Sequence, residues 1–165
     1  VAAAGAPMVV VTTCCTTTGE RDGCLVGFHS QSSISPERYV VWLSVANRTA
    51  RLARSATHLA IHLLGERDRS TAERFGAVSG DDLLEGGDGK LAGLGWTAGP
   101  GGVPVLAEAA GWFVGRIVAR DDGAERQGDH EWVEVEAVAS SDPVADGGPV
   151  LRLGGIADLD PGHEP

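Results

Sequence analysis

Gly128-Asp129-His130-Glu131-Trp132-Val133-Glu134-Val135-Glu136-Ala137-Val138 is the stretch on which the fold turns. From Glu131 to Val138, Val133, Val135 and Ala137 alternate with Glu134 and Glu136, the period of a strand with one face in a core and one in water. Trp132 is out of step with that pattern. The Gly-Asp pair ahead of the strand is turn chemistry that can present the His130 imidazole at the mouth of a sheet, although a histidine there can equally be a solvated turn residue. Upstream, Trp112 to Ala119 reads as a partner strand, and the connecting loop carries Asp121-Asp122-Gly123.

Working outward, other strands follow from composition and punctuation. Met8 to Cys15 is rich in Val, Thr and Cys and runs into Thr18-Gly19-Glu20-Arg21-Asp22-Gly23, a turn that leads to a second strand from Cys24 to Gly27. Tyr39 to Val45 is β-branched and aromatic, and Val150 to Ile156 reads as a closing strand. Six or seven short strands with few helices predict a mainly β barrel or sandwich. Ser70 to Phe75 reads as a short helix with Ser70 as its cap.

One segment stays ambiguous. Leu52, Ala53, Ala56, Leu59, Ala60, Leu63 and Leu64 lie on a helical stripe from Thr49 to Leu64, yet Leu59, Ile61 and Leu63 also alternate with His58, Ala60 and His62. On a helix, His58 and His62 could clamp one metal ion; on a strand they would stand roughly 13 Å apart. No Glu follows His58 and no third ligand lies nearby, so no metal site is expected.

The 165 residues suffice for one domain, spanning 1–165 with a loose tail from about Asp158. With 23 acidic against 13 basic side chains and a net charge of −10, the chain repels phosphate backbones and anionic lipid, which disfavours nucleic acid and membrane as partners. Cys14, Cys15 and Cys24 fit neither a disulfide framework nor a metal knuckle, and read as small buried hydrophobes in a reducing compartment. Val1 to Val11 is apolar but lacks a positive flank and is too short to span a bilayer, so a cytoplasmic protein is expected. Neither a GxSxG elbow nor Walker or Rossmann glycine patterns are present.

Several blocks, taken in order, resemble the flavin reductase-like, FMN-binding split-barrel family, which includes the reductase components of two-component flavin monooxygenases. Ser33-Ile34-Ser35-Pro36 is similar to the family's Ser-Leu-Asp-Pro segment, and Ala72-Glu73-Arg74-Phe75 to its Ala-x-x-Phe helix. The run from Trp96 to Leu106, Trp-Thr-Ala-Gly-Pro-Gly-Gly-Val-Pro-Val-Leu, resembles its Trp-x-x-Gly-x-x-Gly-x-Pro-x-Leu loop, and Gly128-Asp129-His130 its Gly-Asp-His turn. The resemblance spans Val9 to about Leu159.

It implies a six-stranded Greek-key split barrel with a few short helices, paired as a homodimer with flavin clefts near the interface. It also implies that Thr49 to Ser55 is a short helix and His58 to Leu64 a strand. The implied activity is hydride transfer from NAD(P)H to FMN, with FAD or a deazaflavin as alternative ligands and a flavin-dependent monooxygenase as a partner. The rival reading is a binding module that holds a flavin or deazaflavin without turnover. The stretch matching the family's flavin cradle is Val26, Gly27, Phe28, His29, Ser30 and Gln31. The phosphate side matches Ser44, Val45, Ala46, Asn47, Arg48 and Thr49, where Asn47 or Thr49 would cap the helix and Arg48 would hold an anion. Arg51 and Arg54 read as a solvated helix face. His130 would orient the hydride donor.

Two departures stand out. Gly27 to Gln31 replaces the family's Ser-Ser-Phe-Thr-Ser run, removing two hydroxyls and adding an imidazole that could instead be a satisfied core histidine. Arg152 and Ala157 replace tyrosines common in the family, which would open or recharge one wall of the cleft.

Overall fold

The computed structural model describes residues 7–81, 89–124 and 128–142. The Val-rich start forms β1 (Val9–Cys14), in which every residue is buried. A turn leads to β2 (Arg21–Val26), paired antiparallel so that Val9 faces Val26 and Cys14 faces Arg21. This strand begins three residues earlier than its apolar pattern suggests, because Asp22 and Gly23 complete the ladder and are themselves buried.

There follow β3 (His29–Ile34), β4 (Glu37–Ser44), α1 (Arg48–Ala53), β5 (His58–Leu63), α2 (Arg69–Gly76), β6 (Trp96–Ala98), β7 (Pro104–Leu106), β8 (Gly111–Arg120) and β9 (His130–Ser140). Seven strands make one antiparallel sheet in the order β2-β1-β5-β8-β9-β4-β3, and β6 and β7 form a separate hairpin. The sheet curls on itself: Cys24 and Val26 near one edge share a core cluster with Val41 and Leu43 near the other, and α1 adds Ala50 and Ala53 to it. This is the expected mainly β split-barrel architecture with few short helices. Among the described residues the main sheet counts seven strands, because β3 joins it, a strand whose exposed Ser30, Gln31 and Ser32 give no apolar period.

The ambiguous segment resolves into α1 followed by β5. Leu59 and Ile61 point into the barrel core, while Ala60 packs with Val103 and Val105 and Leu64 with Phe75 and Leu106 outside it. A strand covered on both faces is apolar at both parities, and that is why the helical stripe arises by accident. His58 and His62 therefore stand on a strand. His62 is a fully buried core residue, its Nδ1 donating to Val10 O at 3.0 Å and its Nε2 accepting the Leu106 N–H at 3.0 Å.

In α2 the cap position is Asp68, not Ser70: a 3₁₀ turn, Glu66–Asp68, runs directly into the helix, and the Asp68 carboxylate turns back onto the Gly65 N–H at 2.8 Å. The helix presses Ala72 and Phe75 against Met8, Val10 and Leu91. All three cysteines are free and buried, as their composition suggested. The proposed closing strand Val150 to Ile156, Arg152, Ala157 and the tail from Asp158 lie outside the described residues. Among the described residues no helix is long and apolar enough to cross a membrane.

Candidate functional site

Antiparallel pairing of β4 and β9 places His130 opposite Ser44 and Trp132 opposite Trp42. The corner before β9 is tied to the end of β4 by the Val45 N–H, which donates to Asp129 O at 2.9 Å. On the other side the Trp42 N–H donates to Phe28 O at 2.9 Å, extending the β3–β4 ladder by one residue. Three segments separated in sequence thus meet at one end of the sheet.

Strand alternation decides which side chains they present. Val41, Leu43, Val133 and Val135 face the core, so Trp42, Ser44, His130 and Trp132 stand on the outer face. Phe28 joins them with its ring centroid 5.1 Å from that of His130, edge to face. Phe28 is 51% exposed, Trp42 36% and Trp132 37%, an aromatic surface that the protein's own core leaves uncovered. Neither tryptophan was among the predicted site residues; the broken alternation at Trp132 was the signal available in the sequence.

His130 is polarised by its neighbour. Its Nδ1 lies 2.7 Å from Asp129 Oδ1, and because an ionised carboxylate only accepts, the imidazole must donate there. In the neutral ring this leaves Nε2 as an acceptor. The hydrogen bond and charge of His130 in turn hold the Asp129 carboxyl below its ordinary range.

The expected cofactor residues divide. Val26 is buried in the core, and Gly27 packs beside Met8, whose Sδ would lie 3.2 Å from a Cβ at that position. His29 is turned away: its Nε2 donates to Pro7 O at 2.9 Å, which leaves Nδ1 to accept the Tyr39 hydroxyl at 2.6 Å. His29 is half-buried, with both ring nitrogens bonded. Ser30 and Gln31 are exposed and bond only to neighbouring carbonyls. Ser44, Ala46 and Asn47 are half-buried around the end of β4, and Asn47 occupies the cap position of α1 without a side-chain cap bond.

Arg48 and Thr49 are already engaged. The Arg48 guanidinium donates to Glu20 Oε1 at 2.7 Å and to Arg21 O at 3.2 Å, while the buried Thr49 hydroxyl donates to buried Asp22 Oδ2 at 3.1 Å. Thr49 lies inside the helix, not at its cap. Arg51 and Arg54 are exposed, as expected of a solvated face, and each is also paired: Arg51 with Asp81 at 2.5 Å, and Arg54 with buried Glu131 at 2.8 and 3.2 Å. Among the described residues no group of three or more His, Cys, Asp or Glu is placed to hold a metal ion. The outer corner presents an apolar ring face at Phe28 and, in the neutral imidazole, an acceptor at His130. Arg48 and Thr49 are each bonded to an acid of the chain itself.

Residues 2–151 match the family model of the flavin reductase like domain. No curated protein matches the sequence significantly. Among solved structures, a candidate oxidoreductase of Sinorhizobium meliloti 1021 superposes with a TM-score of 0.73 at 21% identity, covering 90% of this chain and 46% of that one. This chain therefore spans less than half the length of that protein. The NADH:FAD oxidoreductase of Streptomyces globisporus C-1027 gives 0.71 at 18% identity, covering 85% and 77%. Nitrilotriacetate monooxygenase component B of Mycobacterium thermoresistibile gives 0.69 at 18%, covering 86% and 71%. At these identities the likeness is one of fold.

Proposed function

The chain belongs to the flavin reductase-like domain family, and on that premise we propose that it passes a hydride from NAD(P)H to FMN at the outer corner formed by Phe28, Ser44 and His130. The observation that carries this reading is the uncovered Phe28 ring set against an imidazole whose tautomer Asp129 fixes. A bound flavin supplies the redox chemistry, taking up the hydride that a reduced nicotinamide gives.

The work left to the protein is positional. Phe28 offers an apolar face. His130 presents Nε2 as an acceptor, suited to the amide N–H of a nicotinamide carboxamide, and so orients the donor without moving a proton. Hydride transfer depends on close stacking of two rings, which needs orientation more than acid–base chemistry. Ser44, Ala46 and Asn47 border the same corner.

The reading includes a homodimer, supported by the paired exposed Trp42 and Trp132, and a cytoplasmic location, in keeping with three free thiols. A monooxygenase that consumes the reduced flavin is the partner proposed, by analogy with the component B named above. One observation favours the rival, a flavin- or deazaflavin-binding module without turnover: Arg48 and Thr49 are bonded to acids rather than open to a phosphate.

Stopped-flow mixing of the FMN-loaded protein with NADH and with NADPH separates the two. A reductase bleaches the flavin absorbance within seconds, and His130→Ala slows the bleaching while flavin affinity holds. Tight flavin binding with no bleaching by either nucleotide establishes the module instead.

A further inference from the structure

Arg48 is the only cation in the 44–49 segment, and its surroundings are asymmetric. The guanidinium side chain is 11% exposed and held from two sides, by Arg21 O and Glu20 Oε1, whereas the Glu20 side chain is 49% exposed. The cation is fixed in the fold and its counter-anion sits at the surface. Glu20 is also pre-positioned: its Oε2 accepts the Thr18 hydroxyl at 2.8 Å, and its own N–H donates back to that hydroxyl at 3.2 Å. Thr18 and Arg48 together hold the Glu20 carboxyl below its ordinary range, so it is an anion wherever FMN is a dianion. Asp22 is the second acid of this edge, but it is buried on the Thr49 hydroxyl, in the same interior that holds the Lys90 ammonium on Gly23 O and Phe75 O.

We propose that Glu20 is a resident competitor for the anionic end of the ligand, occupying the Arg48 guanidinium and so setting how far the site distinguishes FMN from unphosphorylated riboflavin. The inference rests on the flavin-binding reading above and deepens it. A phosphate that reaches Arg48 must displace a carboxylate already bonded at 2.7 Å. Exchanging one anion for another on a guanidinium yields far less than adding one to a free guanidinium. The ring, bound at the Phe28 corner, then carries most of the affinity.

The test measures the dissociation constants of FMN and riboflavin by flavin fluorescence quenching, for wild type and Glu20→Gln, with thermal melts to verify folding. Wild type binds the two ligands within about threefold of each other. Glu20→Gln keeps the Thr18 contacts and tightens FMN by about tenfold while riboflavin is unchanged. Glu20→Ser, which removes the carboxylate altogether at the same exposed site, gives the same shift in ratio. Adding Arg48→Gln to Glu20→Gln removes the gain, and Glu66→Gln, a charge change on the exposed 3₁₀ turn, produces none. An unchanged FMN-to-riboflavin ratio in both Glu20 variants, or an equal gain in Glu66→Gln, overturns the assignment while leaving flavin binding intact. Failure of wild type to bind either flavin overturns the underlying reading as well.

Discussion

Asp129 Oδ1 accepts the Nδ1 proton of its neighbour His130 at 2.7 Å, so a surface carboxylate dictates the tautomer of the imidazole at the corner where three segments of the chain meet. Asp129 is itself anchored, since its carbonyl takes the Val45 N–H at 2.9 Å. The ring is thus registered to β4 through its neighbour's backbone and oriented by its neighbour's side chain. Asp129→Ala, which frees the ring to rotate and to change tautomer, lowers the rate of flavin reduction by roughly tenfold or more while FMN affinity stays the same. Single-turnover kinetics beside equilibrium titration check this; parallel loss of rate and affinity would mark Asp129 as a merely structural residue.

The sequence made the barrel strands legible wherever one face meets water, as in Val133, Val135 and Ala137 against Glu134 and Glu136. It failed where that condition lapsed. β5 is covered on both sides, so His58 to Leu63 carries apolar residues at both parities and imitates a helix. β3 is exposed at three successive residues and shows no period. The Gly-Asp-His corner could be placed from its turn chemistry, but its aromatic surroundings could not. Trp42 and Trp132 become neighbours only through the β4–β9 register, set by pairing across about ninety residues. Likewise no local pattern announces that Arg48 meets Glu20, because α1 and the β1–β2 turn touch only once the sheet has curled.

His62 gives the fold an acid-sensitive joint. Burial depresses its pKa from the ordinary 6.5 to about 4, overriding the Val10 carbonyl that favours the charged ring, and a proton added to Nε2 would confront the Leu106 N–H. The folded state therefore binds the proton less readily than the unfolded chain. The sign follows: this contribution, on the order of 3 kcal/mol, is fully present above pH 6.5 and is lost as pH falls through 4. Urea unfolding between pH 7 and 4 shows a falling free energy in wild type. In His62→Gln, which cannot take up a proton, the slope over that interval is shallower.

Cys15 and Cys24 are both buried, yet their chemistry diverges. Hydrogen bonds from Thr17 and Thr18 lower the Cys15 thiol to about 7, whereas burial raises that of Cys24 to about 11. The Cys15 sulfur lies 3.1 Å from the Thr17 hydroxyl, under an exposed turn. Iodoacetamide at pH 8 accordingly alkylates Cys15 before Cys24, by more than tenfold in rate. Peptide mass mapping of the partly labelled protein reads the order directly, and equal labelling of the two would contradict it.

Gly101 is placed where a side chain cannot go. Its φ of +70° is left-handed, and a Cβ would lie 2.8 Å from His58 Cγ and 3.0 Å from His58 Cβ. The close approach seats the β6–β7 connection on the start of β5, beside Gly102, whose carbonyl accepts Arg21 Nε at 3.1 Å. Gly101→Ala combines backbone strain with a clash and lowers stability by roughly 1–3 kcal/mol. Its urea midpoint falls accordingly. His58→Ala in the same background recovers part of the loss by removing the ring, which separates the clash from the strain.

Arg120 closes the far end of α1. Its guanidinium donates to Ala53 O at 2.8 Å, Arg54 O at 2.6 Å and Ala56 O at 3.1 Å, carbonyls at the end of the helix and just beyond it that a six-residue helix cannot satisfy internally. The same segment is fastened at its start by Arg48 and Thr49. Lysine keeps the charge but not the planar fork, and Arg120→Lys therefore loses at least one of the three bonds. With charged hydrogen bonds contributing about 1.5–3 kcal/mol each, the substitution destabilises the protein by roughly that amount. Hydrogen exchange locates the effect: amides of Arg51 to Ala56 exchange faster in the variant while those of β1 and β5 are unchanged. Uniform acceleration across the sheet would mean that Arg120 supports the barrel as a whole and not α1.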